Sequence, residues 1–159
     1  MLLESCNGLM RALGADVGIP DLALDEAHCC TLAFDSIVVN FELDESSDQL
    51  FLYASLGPIP AAGSRVFEEL LEGNLLWKDT GGATLSLDRQ GDRVMLHQGV
   101  PAERLSEVAF NAAVERFVNV AEVWTQRVSQ GAAQPREEAG APPPSASVRD
   151  RETCDANFA

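Results

Sequence analysis

Between residues 30 and 56 the chain alternates apolar and polar side chains in three short runs, and this narrows the available folds more than any other feature. A period of two puts successive side chains on opposite faces, so each run reads as a strand with one buried face. Cys30, Leu32 and Phe34 share a face of the first. Ile37, Val39, Phe41 and Leu43 share a face of the second, across a tight turn at Asp35-Ser36. Leu50, Leu52, Ala54 and Leu56 line the third, after the polar loop from Asp44 to Asp48. Such short connections join antiparallel neighbours, because a parallel pair needs a crossover of a dozen residues or so. Gly57-Pro58 and Pro60 end this sheet segment.

On either side the period becomes helical. Leu2, Leu3, Cys6, Leu9, Met10 and Leu13 predict a first helix with Gly14 as its stop. A second helix is expected from Ser64, whose hydroxyl can cap free N–H groups, with Phe67, Leu70, Leu71, Asn74 and Leu75 on one stripe. Gly81-Gly82 then leads into two further strands, Ala83 to Asp88 and Arg93 to Gln98, joined by a turn at residues 89–92. Pro101 is expected to open the last and longest helix, where proline costs least. Its apolar positions read as Leu105, Val108, Ala109, Ala112, Phe117, Val120, Ala121, Trp124 and Val128. The predicted class is α+β: an antiparallel five-stranded sheet with three helices, in the order α-β-β-β-α-β-β-α.

A chain of 159 residues has room for one such domain. Composition changes near residue 130, beyond which Ala, Pro, Gly, Ser and charge prevail around Pro142-Pro143-Pro144. Such a segment buries too little to offset its ordering entropy, so residues 131–159 are expected to form a disordered tail to a domain at 1–130. The formal charge is −14, most of it before residue 130, and Lys78 is the single lysine. So acidic a surface repels phosphate backbones and anionic bilayers, which argues against nucleic acid and membrane as partners. No apolar run approaches the roughly 20 residues of a membrane span, and Glu4 stands where an export signal would be basic or apolar. Cys6, Cys29, Cys30 and Cys154 show no paired spacing, so reduced thiols in a cytoplasm are expected.

The motifs of catalysis are missing. There are two histidines, His28 and His97, and no nucleophile elbow, zinc-protease helix or phosphate loop. His28-Cys29-Cys30 is poorly spaced for zinc, since adjacent side chains on a strand point to opposite faces. The loop Asp44-Glu45-Ser46-Ser47-Asp48 lacks the turn glycine of a calcium loop and reads as a solvated hairpin connection. Glu68, Glu69 and Glu72 read as the wet face of the second helix, and Asn74, on its apolar stripe, as a helix-end residue bonded to a nearby backbone group. No catalytic residue, metal or cofactor is expected.

The order of elements, together with several blocks of residues, resembles the class I chaperones of bacterial type III secretion, the Tir-chaperone-like CesT family. The similarity covers about residues 1–128. It rests on the first helix ending in Leu13-Gly14, on Ala54-Ser55-Leu56-Gly57-Pro58, on Leu70-Leu71-Glu72-Gly73-Asn74-Leu75-Leu76, on the run Thr80 to Asp88, and on Val94-Met95-Leu96-His97-Gln98. The resemblance implies a cytoplasmic homodimer without cofactor, which binds the N-terminal chaperone-binding segment of a cognate secreted effector and keeps it secretion-competent. An extended segment can add to a strand edge while its side chains fill neighbouring grooves. By position, the resemblance implies Leu3, Met10, Val39, Phe41 and Leu43 as effector-side residues. It implies Phe67, Leu71, Leu75 and Trp77 as dimer-side residues. The alternative for each is that it fills the domain's own core. Two other functional classes stay open: a regulatory or protein-interaction module of the same fold outside secretion, and an enzyme with an unfamiliar carboxylate site.

Overall fold

A computed structural model describes residues 1–61, 64–103 and 105–132. The expected tail lies, from residue 133 onward, outside the described residues. Along the chain run α1 (Leu2–Val17), β1 (Cys29–Phe34), β2 (Ile37–Asp44), β3 (Gln49–Pro58), α2 (Val66–Asn74), a single 3-10 turn (Leu75–Trp77), β4 (Thr84–Asp88), β5 (Arg93–Pro101) and α3 (Glu107–Ala132). The five strands form one antiparallel sheet in the order β1-β2-β3-β5-β4, so β1 and β4 are its edges. This is the predicted order of three helices and five strands.

The three alternating runs fall in the predicted phase. Ile37, Val39, Phe41 and Leu43 are buried along β2, and Leu50, Leu52, Ala54 and Leu56 along β3. Turn chemistry sets their register. Asp35, Asp48 and Asp92 each adopt a left-handed conformation at a strand connection, which the short aspartate side chain tolerates better than most. All three helices pack on one face of the sheet, where α3 lays Phe110, Val114, Phe117, Ala121, Trp124 and Val128 across it. The opposite face carries Val38, Asn40, Glu42, Phe51, Tyr53, Met95 and His97 without a covering layer among the described residues.

Helix boundaries and phases differ from the expectations. Gly14 does not stop α1, which runs on to Val17 and ends at Gly18 in the left-handed conformation. Gly14 serves a different purpose. A Cβ there would run into the Ile19 carbonyl and the Leu22 side chain, so its lack of a side chain lets the returning chain pass close to the helix. The return is fixed by Asn7, whose Oδ1 accepts the Leu24 N–H at 2.9 Å.

Pro101 ends β5 and does not open α3. That helix begins at Glu107, where the Ser106 hydroxyl accepts the Ala109 N–H at 3.2 Å. Its buried stripe matches the predicted one at Phe117, Ala121, Trp124 and Val128 and differs from it in the first turns. Phe110, Ala113 and Val114 are inside, while Val108, Ala109 and Ala112 face out. Both phases are apolar in this helix, and only the sheet beneath it selects one.

Candidate interaction surfaces

The buried stripe of α2 is Val66, Leu70 and Gly73. Leu71 and Leu75, predicted on the same stripe as Leu70, point to solvent with Leu76 and Trp77, and Phe67 is half-buried against the core. Four large apolar side chains thus form an exposed knuckle at the end of α2, with Leu76 86% and Trp77 56% accessible.

The knuckle is held rather than loose. Leu76 and Trp77 both sit at φ 52°, a conformation that costs a bulky residue on the order of 1–3 kcal/mol and persists only where neighbours enforce it. The enforcement is visible on both sides. Before the knuckle, the Asn74 side chain accepts the Leu85 N–H at 2.8 Å and donates to the Leu85 carbonyl at 3.0 Å. After it, the Trp124 indole N–H donates to the Asp79 carbonyl at 3.0 Å, and Asp79 N–H returns to the Gly73 carbonyl. The Arg127 guanidinium lies over the Trp124 ring at 4.7 Å and within 3.9 Å of the Asp79 carboxylate. Gly73 is needed for this packing, because a Cβ would strike the Trp124 ring.

The effector-side residues are placed differently. Met10, Val39, Phe41 and Leu43 are in the protomer's own core, and Leu3 is half-buried against it. This is the placement that the sequence reading gave as the alternative for each of them. Alternation identifies the apolar face of β2 correctly, but α3 covers that face, as the 6.3 Å approach of the Phe41 and Phe110 rings records. In this conformation the four core side chains are not open to a partner.

Two other features on that side are open. Among the described residues strand β1 pairs with β2 alone, and beyond Cys29, whose outer N–H and carbonyl are bonded to Asp25, its outer backbone edge has no strand partner. At its end, Phe34 reaches a groove of about 770 Å³ between the last turns of α1 and the first half of α3. Leu13, Val114 and Val118 form apolar walls, and Asp16, Glu107 and Glu115 stand on the rim. The Asn111 amide donates to the Asp16 carboxylate and so ties the two helices together. The helical period assigns Val108 and Ala112 to the core and so gives no sign of this groove.

The uncovered sheet face carries titratable groups of its own. The Tyr53 hydroxyl donates to Glu42 Oε2 at 3.2 Å, and burial, followed by the Glu42 charge, pushes the phenol up. His97 stands opposite Tyr53 in register. Burial also raises the Cys29 and Cys30 thiols, with the charges of Asp25 and, at Cys29, Glu42 adding to it, so neither is activated as a nucleophile. Among the described residues, no three His, Cys, Asp or Glu side chains are grouped to hold a metal ion, and no helix is long and apolar enough to cross a membrane.

Residues 8–125 match the model of the Tir chaperone protein (CesT) family. The transcriptional anti-antiactivator ExsC of Pseudomonas aeruginosa is 27% identical over 124 residues, spanning 77% of this chain and 85% of that protein. The Tir chaperone of Escherichia coli O157:H7 is 24% identical over 115 residues, spanning 72% of this chain and 69% of that one. Among solved structures, the ExsC–ExsE complex superposes with a TM-score of 0.69 at 25% identity, covering 80% of this chain and 96% of its counterpart. The HopA1–SchA chaperone–effector complex shares the fold at a TM-score of 0.60 and 20% identity, covering 77% and 91%.

Proposed function

This chain belongs to the Tir chaperone protein (CesT) family, and from that premise we propose that it is a cytosolic type III secretion chaperone, working as a homodimer that holds the N-terminal segment of a cognate effector. The carrying observation is the free edge of β1 running into an apolar groove, on a fold shared with the ExsC–ExsE and HopA1–SchA complexes. An extended client adds its main chain to such an edge and places alternate side chains on the surfaces beside it. The task needs no turnover, only a surface that binds and releases. The exposed knuckle of Leu71, Leu75, Leu76 and Trp77 is the self-association surface in this reading, since an isolated protomer gains nothing from presenting four large apolar groups to water.

The test is recovery of the protein from its native cytosol under gentle conditions, with mass analysis of the intact complex. The expected species is two copies of the 17.1 kDa chain with one partner, the partner protected from protease only near its N-terminus. A monomer, or a folded partner protected throughout, overturns the reading.

The similarity to ExsC, named a transcriptional anti-antiactivator, favours a second reading in which the same surfaces sequester a regulator. Deleting the gene would then change secretion-gene transcripts while leaving effector half-lives unaltered.

A further inference from the structure

The knuckle at the end of α2 has a neck, and the neck rests on one side chain. Its two ends are Gly73, the last buried residue of α2, and Asp79, whose N–H bonds to the Gly73 carbonyl at 3.3 Å. Between them the chain leaves the surface and returns. The Lys78 N–H reaches the Leu75 carbonyl at 3.1 Å, and the Thr80 and Gly81 N–H groups both reach the Trp77 carbonyl, at 3.3 and 3.1 Å. These bonds are all backbone to backbone, so no knuckle side chain contributes to them. Trp124 meets the neck at both ends: its ring lies where a Cβ at Gly73 would be, and its indole N–H donates to the Asp79 carbonyl at 3.0 Å. Only 1% exposed, Trp124 belongs to the protomer's core and does not reach the surface that the knuckle offers. Arg127 spans the same ring and the Asp79 carboxylate. A left-handed pair of bulky residues has lower-energy alternatives in the right-handed and extended regions. Once the neck is no longer fixed, Leu76 and Trp77 leave φ 52° and the four apolar side chains cease to share one surface.

We propose that Trp124, seconded by Arg127, is the positioning residue for self-association: it sets the fraction of protomers that present the knuckle, without itself touching the partner copy. The proposal rests on reading the knuckle as the self-association surface, and adds what controls its affinity. One hydrogen bond of ordinary net strength shifts an equilibrium about fivefold. A dimer needs two presented knuckles, so a fivefold fall in the presented fraction weakens it about 25-fold.

The test measures the dimer dissociation constant of the full chain by sedimentation equilibrium, beside the urea midpoint at a dilution where every form is a monomer. Trp124→Phe keeps an aromatic ring and removes the N–H, and should raise the constant about 25-fold. Arg127→Ala should raise it about two- to fivefold, and Arg127→Lys, which keeps the cation, should restore most of that loss. Val39→Ala is the control for lost stability: it opens the core under β2, separated from β4 by β3 and β5, and should lower the urea midpoint while leaving the dimer constant unchanged. Arg127 is altered without opening the core, so the Arg127 pair carries the test if Trp124→Phe does not fold. A wild-type dimer that is dissociated by Leu75→Glu with Trp77→Glu, yet indifferent to Trp124→Phe and Arg127→Ala, overturns the proposal and leaves the knuckle as the interface. An equal rise with Val39→Ala overturns it too, by reducing the effect to stability. A wild-type chain that stays monomeric at every concentration overturns the self-association reading, and the proposal with it.

Discussion

Asn74 satisfies both main-chain groups of Leu85 through one side-chain amide. Replacing it with alanine strands a partly buried N–H and a carbonyl, at a cost of about 1–3 kcal/mol, which a fall in the urea midpoint should report. Gly73→Ala should cost about 1–3 kcal/mol as the Trp124 ring is displaced. The thiols give a second readout. Cys6 is fully buried, and Cys29 and Cys30 have raised pKa values from burial and nearby carboxylates. Peptide mapping after iodoacetamide treatment at neutral pH should show negligible alkylation of Cys6 and slow alkylation of Cys29 and Cys30, accelerating above pH about 9 as thiolate forms. At this scale the sequence is uneven as a guide. A polar residue on the α2 stripe announced that Asn74 bonds to backbone, because burial obliges it to. Nothing local announced that Phe41 and Leu43 would be covered, since alternation reports which face is apolar and not what lies over it.

At the level of elements, strands were legible and helix phases less so. A strand one residue out of phase turns every side chain to the wrong face, so its pattern is stringent. In α3, by contrast, Val108 and Ala112 compete with Phe110 and Val114, and the choice is made by the sheet. The left-handed pair Leu76-Trp77 had no signature at all, because it is imposed from outside by Asn74 and Trp124. Two predictions belong here. Leu75→Glu with Trp77→Glu should convert the proposed dimer to a folded monomer, seen as a fall in sedimentation coefficient with the circular dichroism spectrum kept. In the β2–β3 turn, Asp44 accepts from the Ser46 and Ser47 hydroxyls at 2.6 and 2.7 Å and from the Ser46 N–H at 2.9 Å. These bonds hold its carboxyl below the usual range. A lowered folded-state pKa stabilises the fold above the ordinary carboxylate pKa and is lost as pH falls through the lowered one. The stability advantage of wild type over Asp44→Asn should therefore shrink between pH about 5 and about 2.

For the whole molecule, the order of elements and the single-layer packing followed from composition and period together. The last described helix extends to Ala132, and the Ser64 hydroxyl donates to the Gly131 carbonyl at 3.2 Å. Truncation after Ala132 should leave the melting temperature within about 2 °C of the full chain, because the Ala/Pro-rich remainder carries little that can pack. Truncation before Gly131 should lower it by removing that anchor. The sheet as a whole also has borders less open than its construction suggests. An antiparallel edge is a template, and both ends of a five-stranded sheet should recruit a further strand equally well. Here the Asn74 amide lies on the β4 border like a single peptide unit of a sixth strand, occupying the N–H and carbonyl of Leu85. Asp25 does the same at the start of β1, where its carboxylate accepts the Cys29 N–H and its own N–H donates to the Cys29 carbonyl, so each border is capped at one end and a visiting strand can pair with β1 only from Thr31 onward.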